Sequence, residues 1–93
     1  MENKDHKTTK EIVDFVSKNN LELSHSISSL KKLYITFCDD INFTREINYK
    51  KNIIGVITTT DIAKKFKSKT VWAVNDPRTI FFSVQNKTLD KFL

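Results

Sequence analysis

The stretch IIGVIT, which runs from Ile53 to Thr58, is almost continuously apolar and rich in β-branched residues. Such a run predicts a β-strand, because β-branched side chains pack well on a pleated surface. It lacks the apolar–polar alternation of a strand with one solvated face, so both of its faces are expected to be covered. Strands covered on both faces are typical of parallel sheets flanked by helices. The stretch therefore predicts an α/β protein.

Two shorter runs on either side of this stretch predict further strands. The first is LYITF at residues 33–37, which is followed by the turn-forming pair Asp39 and Asp40. The second is VWAV at residues 71–74. Both are compact and rich in β-branched and aromatic residues, as strands are.

Helical patterns separate the predicted strands. Thr8 and Glu11 have the spacing of a capping box, which predicts a first helix from Thr8 to the pair Asn19 and Asn20. A second helix is predicted over residues 41–50, where Phe43 and Ile47 are four apart. A third, short helix begins at Thr60 or Asp61 and ends near Phe66. The last helix spans residues 78–91, after Pro77.

Helices and strands thus alternate along the whole chain. This order favours one small domain with a mainly parallel sheet and flanking helices. Residues 1–7 are polar and without periodicity, so we expect a disordered N-terminus and an α/β domain over residues 8–93. The positions expected to be buried between the first helix and the first strand are Leu21, Leu23, Ile27 and Leu30.

The composition indicates a protein of a reducing compartment. The 93 residues carry a net charge of +5, and the N-terminus is charged where a secretory leader would be apolar. No stretch approaches the roughly 20 consecutive apolar residues of a membrane span. The single cysteine, Cys38, cannot form an internal disulfide. We expect a cytoplasmic protein without a membrane span.

Cofactor and metal sites are not expected. The only glycine, Gly55, lies inside a predicted strand, so the chain has no glycine-rich loop for a nucleotide cofactor. Cys38, His6 and His25 make a poor set of zinc ligands. A catalytic role for Cys38 is disfavoured because Asp39 and Asp40 raise the pKa of a neighbouring thiol. Asp39 and Asp40 are more typical of a strand-ending turn than of an acid–base pair.

Phe37 and Phe43 are the candidate binding residues. Phe37 ends a predicted strand and Phe43 lies on the following helix, where ligands of parallel α/β sheets gather. The two rings would either clamp a flat ring by stacking or belong to the core.

The basic residues offer a second interpretation. Lys64, Lys65, Lys67 and Lys69 form the densest positive patch, which is either a solvated helix end or a surface for a polyanion. Fourteen of the sixteen basic residues are lysine, and they are spread along the chain. Nucleic-acid sites cluster their basic residues and favour arginine, so nucleic acid is the less favoured partner.

The chain from Ser26 to Leu89 resembles the N-terminal domain of the UDP-3-O-(3-hydroxyacyl)glucosamine N-acyltransferases of lipid A biosynthesis. The resemblance covers about two thirds of the chain, in order and nearly without gaps. The matching features are Ser26-Ile27-Ser28-Ser29-Leu30, Ile35-Thr36-Phe37, Phe43 with Ile47, Ile54-Gly55-Val56-Ile57-Thr58, Val74-Asn75-Asp76-Pro77, and the aromatic helix with Phe81 and Phe82.

The resemblance implies an α/β module that binds the uridine of a UDP-sugar. By this resemblance, Phe37 and Phe43 flank the uracil and Asp40 joins the polar contacts. The family usually has tyrosine at the position of Phe43 and asparagine at the positions of Asp40 and Asp76. A carboxylate at residue 40 would oppose a nearby diphosphate.

The resemblance also implies partners. In that family, acyl transfer from an acyl carrier protein takes place in a left-handed β-helix of hexapeptide repeats that follows this domain. No such repeat occurs before Leu93, so we expect no catalytic residue in the chain and either an excised domain or a free-standing recognition module. The alternatives are a basic module for nucleic acid or another polyanion, and a structural or interaction domain whose ligand site has decayed.

Overall fold

A four-stranded parallel sheet forms the middle layer of the protein. The computed structural model describes residues 4–25 and 33–90. The elements in chain order are α1 Lys4–Asn19, β1 Glu22–Leu23, β2 Tyr34–Cys38, a 3-10 helix Ile41–Phe43, α2 Thr44–Tyr49, β3 Ile53–Thr58, α3 Thr60–Ala63, β4 Thr70–Ala73 and α4 Pro77–Asp90. The sheet order is β1-β2-β3-β4, and all three strand pairs are parallel. The expected α/β class is confirmed.

Helices cover both faces of the sheet. Helices α1 and α4 pack on one face of the sheet. The core on this face is formed by Ile12, Val13, Val16, Ile35, Ile57, Val74, Ile80, Phe81 and Val84. Helices α2 and α3 pack on the opposite face, where the core is formed by Tyr34, Cys38, Ile47, Ile53, Val56, Ile62 and Phe66. Burial on both faces explains why β3 is apolar without alternation.

An irregularity in β3 changes which residues face each core. Tyr34 pairs with Ile53 and Ile35 pairs with Gly55, so Ile54 is an extra residue in β3. Such a bulge shifts the alternation of side chains by one position. Ile53 and Val56 therefore both lie in the α2–α3 core although they are three residues apart.

The predicted start of the first helix differs from the structure. Helix α1 begins at Lys4, so residues 4–7 are helical and Thr8 lies inside the helix instead of capping it. None of these four residues is glycine or proline, so the helix continues through the capping-box pattern. Residues 1–3 of the predicted disordered segment lie outside the described residues.

The segment before β2 contains a strand that the sequence pattern misses. Strand β1 has two residues, too few to show a period, and its hydrogen bonds come from pairing with β2. Leu21 and Leu23 pack against the α1–α4 core, while Ile27 and Leu30 lie outside the described residues. Leu33 precedes β2 and is exposed. None of the described helices has the length and hydropathy needed to cross a membrane.

Two buried threonines differ in their hydrogen bonding. Thr58 Oγ1 donates to the carbonyl oxygen of Cys38 at 2.7 Å, whereas the hydroxyl of Thr36 has no partner among the described residues. A buried polar group without a partner costs roughly 1–3 kcal/mol. Thr36→Val should therefore raise the free energy of unfolding by about 1 kcal/mol, and Thr58→Val should lower it by about 1 kcal/mol. Urea unfolding measures both changes, and equal destabilisation by the two variants would contradict this assignment.

Candidate functional site

A cavity of about 200 Å³ lies at the carboxyl end of the sheet. It is lined by His25, Phe37, Cys38, Asp39, Phe43 and Arg78. These residues come from the segment after β1, the end of β2, the 3-10 helix and the first turn of α4. Parallel α/β sheets bind ligands at this edge, because the connections that leave the strands there form a crevice.

Side chains of α4 pack against Phe37. Its ring centroid lies 5.0 Å from that of Phe81 and 6.3 Å from that of Phe82, with tilted planes. The guanidinium carbon of Arg78 lies over the same ring, 5.7 Å from its centroid. Phe37 is half-buried, so it belongs to the edge of the core and to the cavity wall. The core interpretation of Phe37 is therefore correct in part, and the same ring also forms part of the cavity wall.

Phe43 is the more exposed aromatic of the cavity. It ends the 3-10 helix, and 47% of its surface is accessible. Ile47, four residues later, is fully buried and holds α2 against the sheet. The ring partners of Phe37 among the described residues are Phe81 and Phe82. Phe43 therefore lines the cavity without a ring contact to Phe37. The cavity thus brings together the two predicted aromatic residues.

Asp40 has a structural role next to the cavity. Its Oδ1 accepts a hydrogen bond from the backbone N–H of Asn42 at 2.9 Å, which caps the 3-10 helix that carries Phe43. Its carbonyl oxygen accepts from the N–H of Phe43 at 3.1 Å. Asp40 is not among the residues that line the cavity. The structure therefore places Asp40 where it can position Phe43.

Cys38 is unsuited to nucleophilic chemistry. Its thiol donates to the carbonyl oxygen of Asp40 at 3.1 Å. Burial raises the pKa of Cys38, and the charges of Asp39 and Asp40 raise it further against the lowering effect of that hydrogen bond. A high pKa keeps the sulfur protonated, and the thiolate is the reactive form. From the sequence, the raised pKa of Cys38 was expected to come from the aspartates, whereas burial is the larger cause.

Arg78 is a cavity residue that the sequence analysis did not single out. It follows Pro77 in the first turn of α4, and its side chain reaches the end of β2 because α4 packs across that strand. Asp76 caps this helix by accepting from the N–H of Thr79 at 3.2 Å and from its hydroxyl at 2.7 Å. These bonds and, to a smaller extent, the charge of Arg78 lower the pKa of Asp76.

The basic patch is smaller than its sequence suggests. The ammonium group of Lys69 is partly buried and donates to the carbonyl oxygens of Lys50 at 2.5 Å and Ile53 at 2.6 Å. Burial lowers the pKa of Lys69. The exposed lysines of this patch are Lys64, Lys65 and Lys67. A surface for a polyanion would therefore have three exposed lysines in this patch, because the ammonium group of Lys69 is hydrogen-bonded within the fold.

The described residues contain no group of three His, Cys, Asp or Glu side chains that could hold a metal ion. Comparison of the chain with protein-family models, with curated proteins and with solved structures finds no match.

Proposed function

We propose that the protein recognises the uracil base of a UDP-sugar between Phe37 and Phe43. The observation that carries this proposal is that both aromatic residues line one cavity at the carboxyl end of a parallel sheet. They are the residues to which the family resemblance assigns the same role. They reach the cavity from different elements, β2 and the 3-10 helix, as the two sides of a clamp must.

The size of the cavity fits a single flat ring. Sites that enclose a whole drug-sized ligand usually have volumes of roughly 300–1,000 Å³. A cavity of about 200 Å³ is smaller than that, so we expect the ribose, phosphates and sugar to lie outside it. Stacking contributes roughly 1–3 kcal/mol for each base. A dissociation constant of about 1 mM corresponds to about 4 kcal/mol, which stacking on two faces nearly supplies. We therefore expect uridine to bind in the high-micromolar to millimolar range.

The proposed role of the cavity is to bind a ligand and not to catalyse acyl transfer. The thiol of Cys38 in the cavity wall is kept protonated and is therefore not an activated nucleophile. By the family resemblance, the module belongs to, or derives from, a sugar N-acyltransferase of lipopolysaccharide biosynthesis in the cytoplasm. The acyl transfer would then take place in a hexapeptide-repeat domain that receives its acyl group from an acyl carrier protein.

Titration with nucleosides and nucleotides tests the proposal. We expect uridine, UMP and UDP-N-acetylglucosamine to shift the amide NMR signals of residues around Phe37 and Phe43. AMP is the matched control, because it carries the same phosphate and ribose with a larger base. Equal responses to UMP and AMP, or no response near the two phenylalanines, would contradict uracil recognition.

Substitutions of Asp40 separate its charge from its capping role. Asn also caps helices, so Asp40→Asn should keep Phe43 in place and leave uridine affinity unchanged. If the diphosphate lies near residue 40, the same change should tighten UDP-sugar binding by about 1 kcal/mol, because a like charge is removed. Asp40→Ala loses the cap, which costs about 1 kcal/mol of stability, and should weaken uridine binding through Phe43. Calorimetric titration of both variants gives the comparison, and identical behaviour of the two would contradict a positioning role for Asp40.

A further inference from the structure

Arg78 is the one arginine or lysine among the described residues that line the cavity. Its side chain is exposed, and its guanidinium carbon lies 5.7 Å from the centroid of Phe37. Arg78 forms no ion pair and no side-chain hydrogen bond within the described part of the chain, although its charge acts on the nearby carboxylate of Asp76. The five N–H donors of its guanidinium group are therefore open to a ligand.

The contact between Arg78 and Phe37 can be exchanged for a stronger one. A cation over an exposed ring is held weakly, whereas hydrogen bonds from a guanidinium to a phosphate are charge-assisted and can be bidentate. A base that stacks on the face of Phe37 covered by Arg78 would take the place of the guanidinium. The released group would stay at the mouth of the cavity, where the part of the ligand beyond the base must lie.

The backbone of α4 cannot provide this anion contact. Pro77, the first residue of the helix, has no N–H, and the backbone N–H groups of Arg78 and Thr79 are both directed at the carboxylate of Asp76. Asp39 also lines the cavity, and its carboxylate opposes an anion. An anionic ligand therefore depends on the side chain of Arg78, with His25 as the other basic residue of the wall.

We propose that Arg78 makes the site select a phosphate-bearing pyrimidine nucleotide over the free nucleoside. This inference rests on the proposed function, since it assumes that the base enters between Phe37 and Phe43. Arg78 acts as a specificity residue, because its guanidinium moves from the Phe37 ring to the 5′-phosphate when the base binds.

Arg78→Gln tests this inference, with Arg45→Gln as the matched control. Arg45 is the other arginine of the chain, is exposed on α2, and does not line this cavity. In about 0.05 M salt, where screening is weak, wild-type protein should bind UMP about tenfold more tightly than uridine. Arg78→Gln should remove this preference without weakening uridine binding, since the base then has no guanidinium to displace from the Phe37 ring. Arg45→Gln should keep the preference, and Arg78→Lys should retain part of it.

The outcomes distinguish the two proposals. If wild-type protein binds uridine and Arg78→Gln still prefers UMP by about tenfold, the role of Arg78 is wrong and uracil recognition stands. The role is also wrong if Arg45→Gln lowers the preference as much as Arg78→Gln does, since the effect would then come from net charge. If uridine does not bind to wild-type protein at all, both proposals are wrong.

Discussion

Replacing Gly55 with alanine is expected to lower the free energy of unfolding by about 2 kcal/mol, because an added methyl group overpacks the core. A Cβ atom at residue 55 would lie 2.7 Å from Cζ3 of Trp72, 3.2 Å from its Cη2 and 3.3 Å from Cγ1 of Ile35. The indole cannot move away freely, since it packs edge-on against Phe15 with centroids 5.2 Å apart. For a domain of this size the expected fall in melting temperature is about 10 °C.

The variant Trp72→Phe provides the control for this prediction. Phenylalanine lacks the outer atoms of the indole that the added methyl group would meet. We expect Gly55→Ala to cost less than about 1 kcal/mol in the Trp72→Phe background, as coupled neighbours do. Thermal unfolding followed by circular dichroism measures all four proteins of the cycle. Additive effects of the two substitutions would show that the indole is not what excludes a side chain at residue 55.

Removing the ring of Phe43 is expected to weaken uridine binding by about tenfold or more, because one stacking face is worth roughly 1–3 kcal/mol. The same change should alter the free energy of unfolding by less than about 0.5 kcal/mol, as surface substitutions usually do. The reason is that 47% of Phe43 is exposed and that it belongs to neither core cluster. Phe43→Ala thus separates binding from folding, and calorimetric titration together with urea unfolding tests both parts.

Tyr49→Ala is the matched control for Phe43→Ala. Tyr49 is also aromatic, lies on the adjoining helix α2, is 87% exposed and does not line the cavity. We expect this variant to bind uridine as the wild type does. Phe37→Ala is a poorer test, since it also removes the ring contacts with Phe81 and Phe82. Equal losses in the Phe43 and Tyr49 variants would indicate nonspecific binding to exposed aromatic residues.

The fold class follows from the sequence because its main signal is local. The apolar run of β3 predicts burial on both faces, and the helical segments predicted on either side of it supply the helices that cover those faces. The bulge at Ile54 could not be predicted, since it depends on the pairing of β3 with β2. Strand β1 was missed for the same reason, because two residues carry no period and become a strand only by pairing.

The candidate site was predicted in part. Phe37 and Phe43 were expected at the carboxyl end of the sheet, and both line the cavity there. Asp40 was also predicted to be a residue of a strand-ending turn. Its hydrogen bond with the N–H of Asn42, which caps the 3-10 helix after β2, agrees with that prediction. Arg78 lies far from Phe37 in the sequence and reaches it through the packing of α4 on β2. That contact is tertiary, so neither composition nor local spacing could reveal it.

The contact between uracil and the two aromatic rings is the central claim, and nuclear Overhauser effects test it most directly. Protein with labelled phenylalanine is saturated with uridine, and transfers from H5 and H6 of the base to the rings are recorded. The chain has seven phenylalanines, and we expect transfers to Phe37 and Phe43, with the Phe43 signals absent in Phe43→Ala. Transfers to neither ring, or only to phenylalanines outside the cavity such as Phe66, would contradict the clamp.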